Sequence, residues 1–179
     1  LEFRRVLFRS TSADFDYLDN LKISEDFQAT ITKALKNKAD IYTDTNMALS
    51  GINKSALSKL GISVKCYVSE PKTAEIAKEK GITRSMASVL RMIEEKKDKI
   101  LVVGNAPTYL FQAMEEIQKG DTSIKAIIGV PVGFVGAAES KDYLSKFDIP
   151  HIAALGRKGG SNIAAAIVNA VLYQMVERD

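Results

Sequence analysis

The stretch Ala126-Ile127-Ile128-Gly129-Val130-Pro131-Val132-Gly133-Phe134-Val135-Gly136-Ala137-Ala138-Glu139-Ser140-Lys141 decides the fold. It opens as an unbroken apolar run, the pattern of a strand covered on both faces. Pro131 ends that run, because proline has no N–H to give a central ladder. Glycines at 129, 133 and 136 then allow a sharp turn. Beyond Gly136 the apolar residues Ala137, Ala138, Tyr143, Leu144 and Phe147 fall roughly on one side of a helix. The unit reads as strand, glycine-rich turn, helix. Such a turn can leave backbone N–H groups at a helix start, where anions bind. A plain strand-to-helix connection would look the same.

The same unit recurs on both sides of this stretch. Strands are expected at residues 40–43, 62–68, 99–103, 126–130 and 151–155. Helices are expected at 25–37 with Ser24 as N-cap, from Asn53 to Leu60, and at 73–80. Further helices are expected at 83–96 opened by Thr83, at 108–119, after Gly136, and at 162–176. Strands alternating with helices predict an α/β fold in three layers: a five-stranded, mostly parallel sheet with helices on both faces, Rossmann-like in topology. Residues 11–27 have weak periodicity and read as cover for part of the core.

The 179 residues suit one domain with a sizeable core. Apolar residues make up 46% and charged residues 26%, ordinary for a soluble globular chain, and a cytoplasmic location fits. No apolar run reaches the roughly 20 residues a membrane span requires. Cys66 is the single cysteine and His151 the single histidine, so neither a disulfide nor a metal cluster is expected. The net charge of +3 is too small to argue for a nucleic-acid partner. Part of it comes from residues 1–10, LEFRRVLFRS, which lack an initiator Met and carry the Glu2-Phe3 pair that an EcoRI site encodes. This decapeptide reads as an adaptor or cloning scar, leaving residues 11–179 as a single α/β domain. Without it, 22 Lys+Arg stand against 21 Asp+Glu.

In open α/β sheets, ligands bind beyond the carboxyl ends of the strands. The unusual residues fall at those ends: Asp44-Thr45, Gly104-Asn105-Ala106-Pro107-Thr108, Gly133-Phe134-Val135 and Gly156-Arg157-Lys158-Gly159-Gly160-Ser161. Arg157 and Lys158 beside glycines suit carboxylate or phosphate oxygens. Arg84, one residue into its helix, is a third candidate cation. Glu139 and Lys141 read as a solvated first turn, and Asp44 as a turn former. His151 begins a strand, at the opposite end of the sheet, and reads as structural. Cys66 lies within an expected strand and reads as core. The Gly156 turn is not a P-loop, since its lysine precedes the glycine pair, and Gly104-Asn105-Ala106 lacks dinucleotide-site spacing. The residues by themselves give an anion-binding rim on an α/β sheet.

Taken together and in order, five motifs resemble the precorrin-8X methylmutases of cobalamin biosynthesis. They are Asp44-Thr45-Asn46-Met47 with Gly51-Ile52, Thr83-Arg84-Ser85-Met86-Ala87, Gly104-Asn105-Ala106-Pro107-Thr108, Pro131-Val132-Gly133-Phe134-Val135 with Glu139-Ser140-Lys141, and the Gly156 turn. The resemblance runs from about Thr11 to the C-terminus. Ala13-Asp14-Phe15-Asp16-Tyr17 looks most like the anaerobic branch, whose substrate carries cobalt.

The resemblance implies an isomerase that moves a methyl group between neighbouring carbons of ring C of a precorrin-8 tetrapyrrole. It implies a sigmatropic shift without methyl donor or cofactor, any cobalt belonging to the substrate, and a homodimer with its site near the subunit interface. Substrate contacts are implied at Thr11, at Asp44, Thr45 and Met47, and at Thr83, Arg84 and Ser85. They are implied also at Gly104, Asn105, Ala106, Pro107 and Thr108, and at Val132, Gly133, Phe134, Val135, Glu139 and Ser140. Arg157, Gly159, Gly160 and Ser161 complete the set. The arginines and helix-start amides would hold carboxylates, while Met47, Phe134 and Val135 would pack on the macrocycle.

The family's general acid is a histidine immediately before the segment that begins here at Thr11. In this chain that position is Ser10. The resemblance therefore implies a replaced N-terminus and impaired turnover. Two other readings stay open: a non-catalytic tetrapyrrole binder, and a nucleotide- or S-adenosylmethionine-binding α/β domain.

Overall fold

The computed structural model describes residues 10–176. Apart from Ser10, the expected non-native decapeptide lies outside the described residues. Among the described residues, one sheet runs in the order β1-β6-β5-β4-β2-β3. Its strands are β1 (Leu21–Ile23), β2 (Asp40–Thr43), β3 (Val64–Lys65), β4 (Lys99–Val103), β5 (Ile124–Gly129) and β6 (His151–Ala154). The helices are α1 (Tyr17–Asn20), α2 (Phe27–Lys36), α3 (Asn46–Gly51), α4 (Lys54–Leu60), α5 (Pro71–Lys80), α6 (Arg84–Ile93), α7 (Pro107–Gln118), α8 (Ala137–Leu144) and α9 (Ser161–Met175).

Strands β2 to β6 pair in parallel, as expected. The strand count is six and not five, because β1 adds an antiparallel edge to β6, Leu21 opposite Ala154 and Ile23 opposite Ile152. Leu21-Lys22-Ile23 was too short a run to announce itself beside the longer apolar strands. The parallel strands follow the flavodoxin-like doubly wound order, which reverses direction between β2 and β4.

Two layers of apolar side chains explain the sandwich. In β4 (KILVV), Ile100 and Val102 face one side and Leu101 and Val103 the other, as a period of two requires. Ile100 and Val102 join Phe27, Ile31 and Leu35 of α2 and Ile163, Ile167 and Val171 of α9. Leu101 and Val103 join Val89 and Met92 of α6, Leu110 and Met114 of α7 and Leu144 of α8.

Local expectations shift at element ends. Helix α2 begins at Phe27, and Ser24 is not its cap. The Ser24 hydroxyl donates to Asp26 Oδ1 and accepts the His151 N–H, so it joins β1 to β6. Edge strand β3 pairs only at Val64 and Lys65 and leaves Cys66 outside it. His151 is buried at the amino end of β6, with Nδ1 2.8 Å from the Ile149 carbonyl oxygen, a structural role as expected.

Candidate active site at the carboxyl rim

The four turns, three of them glycine-laced, do gather along the carboxyl ends of the strands, and the contacts between them are specific. The turn after β2 crosses the switch point to the turn after β4. Asp44 is buried there. Its Oδ1 accepts the Gly104 N–H at 2.9 Å, and its Oδ2 accepts those of Asn105 and Ala106, both at 2.7 Å. Burial pushes the Asp44 carboxyl up, against the opposing pull of these amides. The amides of Gly104, Asn105 and Ala106, which the sequence places on the anion-binding rim, are therefore taken up inside the protein.

Thr45 caps α3 by accepting the Ala48 N–H, and its Oγ1 lies 2.8 Å from Ser161 Oγ at the start of α9. Gly104 is needed at this crossing, since a Cβ there would stand 2.6 Å from the Ser161 Cα. Gly159 is pressed as closely against β5, where a Cβ would lie 2.1 Å from the Val130 carbonyl oxygen. The Val130 oxygen also accepts the Gly160 N–H at 2.9 Å. The Gly133 N–H donates to Arg157 O at 3.1 Å, so the turns after β5 and β6 touch directly.

On the outer surface of these turns the side chains are open. Phe134 and Val135 are 83% and 89% exposed, and Met47 72%. Phe134 and Val135 are neighbours on the turn after β5, so two large apolar side chains are exposed together there. The Arg157 guanidinium carbon sits 5.5 Å from the Phe134 ring centroid, an exposed cation over an exposed aromatic face. Thr83 caps α6 through the Met86 N–H and donates its hydroxyl to Thr108 at 3.4 Å. That contact brings Arg84 and Ser85 beside the first turn of α7. Glu139 is exposed, while the Ser140 hydroxyl is buried and donates to Ala137 O.

A profile of the precorrin-8X methylmutase family matches residues 3–174. The chain belongs to that family.

Relatives and solved structures agree with the family match. The chain is 52% identical over 168 residues to the cobalt-precorrin-8 methylmutase of Salmonella typhimurium (strain LT2), covering 93% of this chain and 78% of that protein. The crystal structure of the precorrin-8X methyl mutase of Thermus thermophilus superposes with a TM-score of 0.86 at 30% identity, over 96% of this chain and 83% of that one. A precorrin-8X methylmutase-related protein superposes at 0.90 and 31% identity, over 98% and 90%. The methylmutases are isomerases that move a methyl group within one molecule.

Two lysines of this methylmutase chain differ from their sequence reading. Lys141 is fully buried, not solvated, and its Nζ donates to Lys158 O at 2.7 Å. Burial pushes its ammonium down to about 8. Lys158 is not a free cation: its Nζ donates to Asp14 Oδ2 and Asp16 Oδ2, each at 2.6 Å. This bond pattern holds the Asp14 carboxyl below its ordinary range and raises the Lys158 ammonium.

Sequence reasoning also missed what carries Asp14 and Asp16 to the rim. Strand β1 runs antiparallel to β6, so its first residue lies at the carboxyl end of β6. The preceding segment, from the exposed Ser10 through α1, therefore sits at the same end as the four turns. Among the described residues no group of three or more His, Cys, Asp or Glu side chains could hold a metal ion. No helix among them is long and apolar enough to cross a membrane.

Proposed function

We propose that the rim binds a precorrin-8 tetrapyrrole and that the chain's fold serves the migration of a methyl group between adjacent carbons of ring C, giving a hydrobyrinate-type product. One observation carries this reading: exposed Phe134 and Val135 stand beside the exposed Arg157, on turns that backbone hydrogen bonds tie to one another. A tetrapyrrole of this class is a broad apolar ring fringed by carboxylates, and needs both. Phe134, Val135 and Met47 offer the apolar contact, and Arg157 and Arg84 the cations. Asp44 serves by bracing the turn that carries Asn105, Pro107 and Thr108. Gly104 lets that turn approach Gly160 and Ser161, and Gly159 lets the turn after β6 approach Val130 and Pro131.

The names of the relatives favour the cobalt-bearing substrate, with the cobalt part of the substrate. The rearrangement is intramolecular and draws on no cofactor. The exposed apolar residues also suit a homodimer whose interface borders the site, and a cytoplasmic enzyme fits this substrate.

Migration needs a proton donor at the ring. Imidazolium is suited to that task near neutral pH, and such transfer contributes about 10²–10⁴-fold. Position 10 holds serine, which is no such donor, so this chain turns over slowly while still binding. The test is a turnover assay with cobalt-precorrin-8 and with its metal-free counterpart, comparing the chain with its Ser10→His variant. A rise of 10²-fold or more in the variant supports the acid assignment; equal rates refute it.

A further inference from the structure

We propose that Lys158 and Lys141 act as positioning residues, a two-step clamp that docks the N-terminal segment, and with it position 10, onto the carboxyl rim. The inference rests on the reading above only in taking position 10 as the acid position.

The geometry runs in one line through the molecule. Lys141 is buried in α8, and its ammonium holds the Lys158 carbonyl oxygen at 2.7 Å. That contact fixes the backbone of the turn after β6. From the same residue, the Lys158 ammonium reaches outward to Asp14 and Asp16 at 2.6 Å each. Its donors are thus divided between two carboxylates two residues apart. The Asp16 N–H is bound by Asp14 Oδ1 at 3.0 Å, so the paired carboxylates are themselves ordered by a local turn. Immediately upstream, Ala13 adopts φ +52°, a left-handed conformation that alanine takes at a cost. The chain bends sharply between the clamped aspartates and position 10.

No strand pairing is available to residues 10–16, because β1 begins only at Leu21. The Lys158 ion pairs therefore act alongside the burial of Tyr17 in docking the segment. A misplacement of about 1 Å can cost 10²-fold in rate, so a clamp four residues from the acid position bears on catalysis. The arrangement also links the segment to the substrate turns, since Arg157 O accepts the Gly133 N–H next to Lys158.

The clamp is tested by amide hydrogen exchange over residues 12–20 and by kinetics in the Ser10→His background. Lys158→Met is expected to speed exchange in that peptide by about 10-fold or more, and Lys158→Arg to stay within about threefold of the parent, because a guanidinium can span both carboxylates. Asp14→Asn with Asp16→Asn should reproduce the Met variant, and Lys141→Met should show a smaller increase in the same peptide. In turnover, Lys158→Met should lower kcat about 10-fold while the dissociation constant for hydrogenobyrinic acid changes less than threefold. Unchanged exchange in Lys158→Met and in the double Asn variant overturns the clamp. Faster exchange with unchanged kcat overturns its positioning role. Exchange is read without reference to the acid, so failure of the Ser10 assignment and failure of the clamp are separate results.

Discussion

Asp44 Oδ2 accepts the Asn105 N–H at 2.7 Å across 61 residues of chain, and through that bond the turns after β2 and β4 become one unit. Three amides converge on one buried carboxylate. An Asn side chain at this position would turn a donor toward donors. Asp44→Asn is expected to lose about 1–3 kcal/mol of stability, the cost of leaving buried donors without acceptors. Urea denaturation monitored by circular dichroism measures it, and an unchanged midpoint would remove the bracing role.

Gly104 and Gly159 are fixed by contact, since Cβ atoms there would meet backbone atoms at 2.6 and 2.1 Å. Backbone cannot rotate away as a side chain can. Gly104→Ala and Gly159→Ala are each expected to cost at least the 1–3 kcal/mol typical of overpacking. Both should also weaken product binding, because the turns they separate carry Arg157 and Phe134. Thermal denaturation and an absorbance titration on each variant check the two effects together.

Lys141 gives the protein a pH signature. Its folded-state value of about 8 lies below the ordinary 10.5, so burial disfavours the charged form. Below pH 8 the lysine is protonated in both states, and the full cost of holding its buried charge is present. Between about 8 and 10.5 the unfolded chain binds more protons than the folded one, so stability rises with pH. Lys141→Met should therefore be at least as stable as the parent at pH 7, by up to about 3 kcal/mol. The advantage should shrink as pH rises to 10.5. Denaturant titrations of both proteins at several pH values read the difference directly.

Arg157 is exposed and stands over the Phe134 ring, so its removal should leave the fold alone. Arg157→Ala is expected to stay within about 0.5 kcal/mol of the parent in stability. It should bind hydrogenobyrinic acid about 10-fold more weakly at low ionic strength. The gap should narrow as salt screens the carboxylate contact. A salt series of binding titrations tests this.

The three-layer sheet was legible because β4 and β5 are apolar on both faces and each ends in glycine or proline. The rim was legible because its glycines and arginines cluster after strands. What the sequence hid depends on distance along the chain. Asp44 reads as a turn former locally, and the amides that bind it come from residues 104–106. Lys141 reads as part of a solvated first turn, but it lies in the last turn of α8, where packing under the turn after β6 buries it. Lys158 reads as a free cation until β1 is seen to run antiparallel and bring Asp14 and Asp16 beside it. Strand β3 read too long, because the apolar residues at 62–68 look like a strand while β2 pairs with only two of them.

The central claim is that the tied turns form one surface for a carboxylate-fringed tetrapyrrole. It is tested most directly by absorbance titration of hydrogenobyrinic acid into the parent chain, Arg157→Ala and Phe134→Ser. The account predicts a saturable spectral shift with one ligand per chain, weakened in both variants. No shift in the parent, or a shift equally strong in all three proteins, would contradict it.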